Sequence, residues 1–241
     1  KVVIEYGMLT EDKFYDKAES FNLYPTVDDK YFTYEELEKK IKKLQTDKDG
    51  NLIILYAQNK DEQYTYIKSA KEKGYEVLLL DSPIIPHLMQ KLESKKEKVK
   101  FSRVDSDTLE NLIKKDEEVI SKLTDEEKEK LKPMIETAVE NEKYTVQLEA
   151  LDSNSMPFML AQPEFMRRMK EMQQTGGGAM GNLPDMYSLI VNTNHELVGK
   201  ILNTRTEKKR NSLIKQSIDL AKLSQNNLTG KDLTEFINRS I

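Results

Sequence analysis

The side chains that could do covalent or metal chemistry are few in this chain. It has two histidines, His87 and His195, and no cysteine among 241 residues. Two histidines without a thiol cannot make a structural zinc site, so no metal site is expected. Asp81-Ser82-Pro83 is the best enzyme candidate, because an acid at the carboxyl end of a parallel strand lies where α/β folds place ligands. Asp81 has no evident histidine or glycine-rich partner, however, and capping of the helix after Ser82 accounts for the same residues. Gly176-Gly177-Gly178-Ala179-Met180-Gly181 satisfies G-x-G-x-x-G. A dinucleotide fingerprint needs a strand before it and a helix after it, whereas here a methionine-rich helical stretch precedes it and Asn182-Leu183-Pro184-Asp185 follows. No P-loop, G-x-S-x-G or H-E-x-x-H occurs. No catalytic residue and no bound cofactor are expected in this stretch.

Methionine suggests a different chemistry. Seven of the ten methionines lie from Met156 to Met186. The unbranched, polarizable thioether adapts to varied apolar partners. On a helix at about 100° per residue, Phe165, Met166, Met169 and Met172 share one stripe, and Arg167, Arg168, Lys170 and Glu171 point elsewhere. Pro163 stands where a helix can begin, and Gly176, Gly177 and Gly178 close it. Such a helix either packs its stripe into its own domain or offers it to a partner, and the spacing alone allows both.

The elements that carry these residues fill two domains, which the length permits. Hydrophobic residues make up 37% and charged residues 33%, as in a protein with a heavily charged surface. The net charge of -4 argues against nucleic acid as a partner. The lysines at 91, 95, 96, 98 and 100 are broken by Glu93 and Glu97 and read as a solvated rim. No apolar run approaches the ~20 residues that span a bilayer, so no membrane partner is expected. The lack of cysteine fits a cytoplasmic setting, and the start at Lys1 rather than methionine is expected of a piece of a longer protein.

A helix ending at Gly7 and one capped by Thr10 through residue 20 come first. Thr33 and Glu36 form a capping box ahead of YEELEKKIKKLQ. Apolar runs at 51–57, 75–80 and 99–104, separated by helical patterns at 61–73 and 85–92, predict a small parallel sheet covered on both faces. Composition changes near residue 120, which divides the chain into 1–120 and 121–241. Thr124 and Glu127 read as a second capping box, with Pro133 starting or kinking the next helix. Strands follow at 144–151, 156–161 and 187–192, and Thr193 with Glu196 is expected to cap a helix through Leu202. The fold class is therefore α/β leading, α+β overall, with a helical end.

That end consists of two amphipathic helices. Leu213, Ile214, Ile218, Leu220, Ala221 and Leu223 cover an arc of roughly 220°, wider than one docking face requires. Leu233, Phe236 and Ile237 form a stripe on the last helix. Short helices are marginal alone, and a bundle with the same pair from a second copy is the economical solution.

Several segments together resemble one family. Tyr6-Gly7 followed by Phe21-Asn22-Leu23, and Tyr75-EVLLLDSPIIPHLMQKL, are similar to the middle domain of the ninety-kilodalton heat-shock chaperones. Ile85, Pro86 and His87 stand where that family commonly has an acidic pair. Met156-PFMLAQPEFMRRMKEM and Val191-NTNHELVGKI resemble the bacterial, HtpG-type branch, with Glu196 in place of a usual proline. The resemblance covers essentially the whole chain. It implies a distal middle-domain layer followed by a carboxy-terminal dimerisation domain in a cytoplasmic, bacterial protein. It implies contact with non-native client proteins through Phe165, Met166, Met169, Met172 and His87. It also implies a homodimer through Leu213, Ile214, Ile218, Leu220, Ala221, Leu233, Phe236 and Ile237. Members bind and hydrolyse ATP, with magnesium, in an amino-terminal domain. None of the E-x-x-D-N, D-x-G-x-G or L-P-L-N-x-S-R-E motifs is present, so that chemistry is expected elsewhere in a longer parent. The contrasting reading from the residues is a small-molecule or enzyme site at the strand ends near Asp81.

Overall fold

The computed structural model describes residues 2–116, 119–139, 144–176, 186–225 and 227–241. The chain separates into two compact units, Lys1–Asp116 with Glu164–Leu183, and Glu117–Pro163 with Pro184–Ile241. Composition suggests a single cut near residue 120. The folded units are instead interleaved, because the helix that begins at Glu164 packs within the first.

The first unit opens with α1 (Val2–Thr10), α2 (Asp12–Ala18), a short β1 (Tyr24–Pro25) and β2 (Tyr31–Phe32) pair, and α3 (Tyr34–Gln45). Gly7 does not end α1. A Cβ there would lie 2.8 Å from the Phe14 ring, so glycine lets the next helix approach. Thr10 caps nothing, since its hydroxyl donates back to the Tyr6 carbonyl at 2.9 Å. The Thr33 and Glu36 box forms as the spacing predicts.

The centre is β3 (Leu52–Ala57), α4 (Tyr64–Glu72), β4 (Val77–Leu79), α5 (Ile85–Lys95), β5 (Val99–Arg103) and α6 (Leu109–Leu112). The three strands are parallel in the order β4-β3-β5. Every residue of β3 is buried. Ile54 and Tyr56 face a layer holding Met8, Leu37, Leu88 and Met89, while Ile53, Leu55 and Ala57 face Ile67, Ala70, Leu109 and Ile113. A parallel sheet covered on both sides explains why these strands are apolar throughout.

The second unit contains α7 (Asp125–Val139), β6 (Tyr144–Glu149) and β7 (Phe158–Ala161). After them comes α8 (Glu164–Gly176), which belongs to the first unit, and then β8 (Tyr187–Asn192), α9 (Glu196–Asn203), α10 (Glu207–Ser224) and α11 (Gly230–Ser240). The Thr124 amide donates to Glu127 at 2.8 Å and the Glu127 amide to the Thr124 hydroxyl at 3.3 Å, closing the second capping box. Pro133 lies inside α7 without dividing it. The sheet is mixed, with β8 parallel to β6 and antiparallel to β7.

The cap expected from Thr193 is made by His195 instead, whose Nδ1 accepts from the Leu197 amide at 3.1 Å. Thr193 Oγ1 donates to the Glu149 carbonyl. Neighbouring Asn192 and Asn194 are buried and tie loops together. Asn194 Nδ2 donates to the carbonyls of Ile120 and Leu151, each at 3.0 Å, while its Oδ1 accepts from the Lys122 amide at 2.7 Å. The Asn-Thr-Asn-His run is thus a buried hydrogen-bonding knot.

Candidate functional site

The methionine helix α8 sits against the parallel-sheet layer by the side the sequence reading turned away. Glu164, Arg167, Arg168 and Glu171 recur at i, i+3, i+4 and i+7 and share one face. That face is the docked one. Arg167 is 3% exposed, and its fork reaches Glu164 Oε1 at 2.6 Å, Glu171 Oε1 at 2.5 Å and the hydroxyl of Tyr56. Tyr56, penultimate in β3, donates to Glu164 Oε1 at 2.9 Å and lies under the Arg167 guanidinium. Gln58, just after β3, accepts from Arg103 at 2.8 Å, and Arg103 donates to Asp105 at 2.5 Å.

The same face seals a sheet edge. Among the described residues, strand β5 pairs with β3 alone, so its outer backbone groups need partners. The Phe101 amide donates to Glu93 Oε1 at 2.7 Å, the Phe101 carbonyl accepts from Arg168 Nη2 at 2.5 Å, and the Arg103 amide donates to Glu164 Oε2 at 3.2 Å. Arg168 completes the clamp through Glu93 at 2.8 Å and Glu164 at 2.7 Å. Side chains stand where a neighbouring strand would stand.

The electrostatics follow from this crowding. Burial pushes the Glu164 carboxyl upward, but the positive charges of Arg167 and Arg168 outweigh it and hold the group below its ordinary value. Burial acts to lower the two guanidinium values, yet Glu164, Glu171 and Glu93 raise them. Tyr56 is raised, by burial first and by Glu164 next. Glu164, Arg167, Arg168 and Tyr56 keep their usual charge state at neutral pH.

With the charged face inward, the stripe of the sequence reading lies on the opposite side. Phe165 is 73% exposed, while Met166, Met169 and Met172 are half-buried. The helix begins at Glu164, leaving Pro163 just ahead of it. His87 is half-buried near the start of α5. On the same helix, Glu93, nearly two turns further along, accepts from Arg168 of α8. Asp81 is exposed beyond β4, and the end of β3 beside Tyr56 and Gln58 is filled by α8 side chains. The sequence reading missed Tyr56, Glu93, Glu164, Arg167, Arg168 and Glu171. The alternation of Glu and Arg at helical spacing was the available signal.

On the last two helices the apolar residues divide between two environments. Ile214, Ile218 and Ala221 pack into the second unit's own core with Leu131, Phe158 and Val191, and Leu213 packs against it. Phe236 is also buried and Leu233 is half-buried. Leu220, Leu223 and Ile237 remain outside, at 48%, 41% and 46% exposure. Arg239 pairs with Asp219, which holds α11 beside α10. The wide arc of α10 therefore serves an inner and an outer face.

Among the described residues no group of three His, Cys, Asp or Glu is arranged to hold a metal, and no helix is long and apolar enough to cross a membrane. No family model matches the chain. Curated relatives do. The chain is 46% identical over 207 residues to the chaperone protein HtpG of Bacteroides fragilis and 44% identical over 208 residues to that of Bacteroides thetaiotaomicron, in each case 84% of this chain and 30% of the relative. It is 41% identical over 228 residues to HtpG of Porphyromonas gingivalis, covering 92% of this chain and 33% of the relative. The chain thus spans about a third of the length of the curated relatives it matches. With identity above 40% sustained across nearly all its residues, the chain belongs to the HtpG chaperone family and matches that family's carboxy-terminal part.

Proposed function

We propose that this chain is the client-holding and dimerising portion of a molecular chaperone. Its relatives carry the name of chaperones. The observation that carries the reading is the inverted seating of α8. Its charged face is consumed by Tyr56, Glu93 and the β5 backbone, so Phe165 and the methionines face away from the sheet layer. An exposed Phe165 flanked by adaptable, half-buried methionines is suited to non-native polypeptides of varied sequence. Homodimerisation through the outer faces of α10 and α11 belongs to the same reading, supported by Leu220, Leu223 and Ile237 standing outside the unit's core. ATP and magnesium chemistry is assigned to other parts of a longer parent protein, and a cytoplasmic setting is supported by the lack of cysteine.

Replacing Phe165 and Met169 together by serine tests the client role. Thermal unfolding should fall by much less than for a core pair, because Phe165 is largely exposed and Met169 only half-buried, while suppression of aggregation of a heat-denatured probe protein should weaken beyond that loss. A large loss of stability, with suppression reduced only in proportion, would return the stripe to the core.

A further inference from the structure

We propose that Arg167 is a positioning residue for client holding: it selects which face of α8 is presented, without touching the client. The inference rests on the reading of the Phe165 stripe given above. An amphipathic helix ordinarily buries its apolar side and leaves charge to water. Here α8 docks by its charged side and leaves Phe165 exposed, held to the sheet layer by bonds from Glu164, Arg167 and Arg168. Arg167 is the most deeply buried member of the charged face and joins three acceptors, Tyr56 Oη, Glu164 Oε1 and Glu171 Oε1. One acceptor belongs to the sheet, and two belong to successive turns of the helix itself. A planar fork can satisfy all three at once, whereas a lysine ammonium is a single point without that geometry. Arg168 adds grip at the rim through Glu93 and the Phe101 carbonyl. Rolling the helix by half a turn would hide Phe165 and break the bonds to Tyr56, Glu93 and the Phe101 carbonyl, while those from Arg167 to Glu164 and Glu171 would turn with the helix. The orientation of the apolar stripe is therefore held by polar chemistry on the far side of the helix.

Arg167→Met is the informative variant: it removes the fork but leaves Glu164 and Glu171 short of a cation, so some loss of stability is expected and thermal unfolding is measured beside the two readouts. Hydroxyl-radical footprinting reads the exposure of Phe165 directly, and a permanently unfolded, reduced and carboxymethylated protein serves as the binding probe. In Arg167→Met the labelling of Phe165 should fall several-fold and affinity for the probe by about tenfold, as for loss of one well-placed contact. Arg167→Lys should not restore either. Tyr56→Phe, which deletes one hydroxyl, should shift both readouts in the same direction by less, and it serves if Arg167→Met fails to fold. Unchanged labelling together with unchanged affinity in Arg167→Met overturns the proposal. The Phe165 and Met169 serine pair separates the two ideas. If that pair weakens the probe while Arg167→Met does not, the positioning role alone is lost. If the pair leaves the probe unaffected, the client reading fails and the proposal fails with it.

Discussion

Glu164 shows how a single carboxyl couples helix docking to pH. It accepts from Tyr56, Arg167, Arg168 and the Arg103 amide. Although burial opposes ionisation, the two guanidiniums hold its pKa below the ordinary 4.5. A depressed carboxyl contributes stability that is present above its unfolded value and is lost as pH falls through the folded one. The docking of α8 should therefore be constant from neutral pH down to about 4.5 and weaken progressively below it. Glu93, Glu171 and Asp105 face the same network of Arg103, Arg167 and Arg168. Hydrogen exchange of α8 amides from pH 6 to 3, corrected for intrinsic rates, checks this. In Glu164→Gln the acid-induced loosening should shrink.

At the scale of elements, two predictions concern caps and edges. The Thr124 and Glu127 box forms, whereas Thr193 is engaged with Glu149 and His195 caps α9. Thr124→Ala should cost about 0.5–2 kcal/mol in urea unfolding as a lost N-cap. Thr193→Ala should act through the Glu149 and Ser121 contacts instead, so its loss should appear as faster exchange in the loops those residues join. The second prediction follows from β5, whose outer edge is satisfied by Glu93, Glu164 and Arg168 rather than by a strand. Glu164→Ala with Arg168→Ala bares two of those backbone groups, and bare strand edges invite pairing between molecules. Concentration-dependent self-association on light scattering is expected, with the further change Ser102→Lys, two residues beyond Lys100, reducing it. Absence of self-association would mean that Glu93 alone protects the edge.

At the scale of the molecule, the division of α10 into two faces decides which substitutions test assembly. Ile218 lies in the second unit's core, so charging it would unfold the unit whatever the oligomeric state. Leu220 and Ile237 are each about half-exposed and outside that core. Leu220→Asp with Ile237→Asp should convert a dimer to a monomer on light scattering while the thermal midpoint changes by little more than the loss of assembly itself contributes. A chain that remains dimeric would place the interface on another surface.

Much of the architecture was legible because short-range rules governed it. The β3–α4–β4–α5–β5 layer, the two capping boxes and the helical end follow from apolar runs, periodicity and caps within a few residues. The family is likewise legible in short motifs such as Met156-PFMLAQPEFMRRMKEM and Val191-NTNHELVGKI. Other features depended on partners remote in sequence. Gly7 reads as a helix stop until Phe14 is seen against it, and Thr193 reads as a cap until Glu149 takes its hydroxyl. The largest such reversal is α8. The sequence determined that it has an apolar stripe and a charged stripe, and local periodicity carries no preference between docking them. Tertiary structure decided the matter, because Tyr56 lies 111 residues from Arg167 and the open edge of β5 needs donors and acceptors that only the charged stripe could supply.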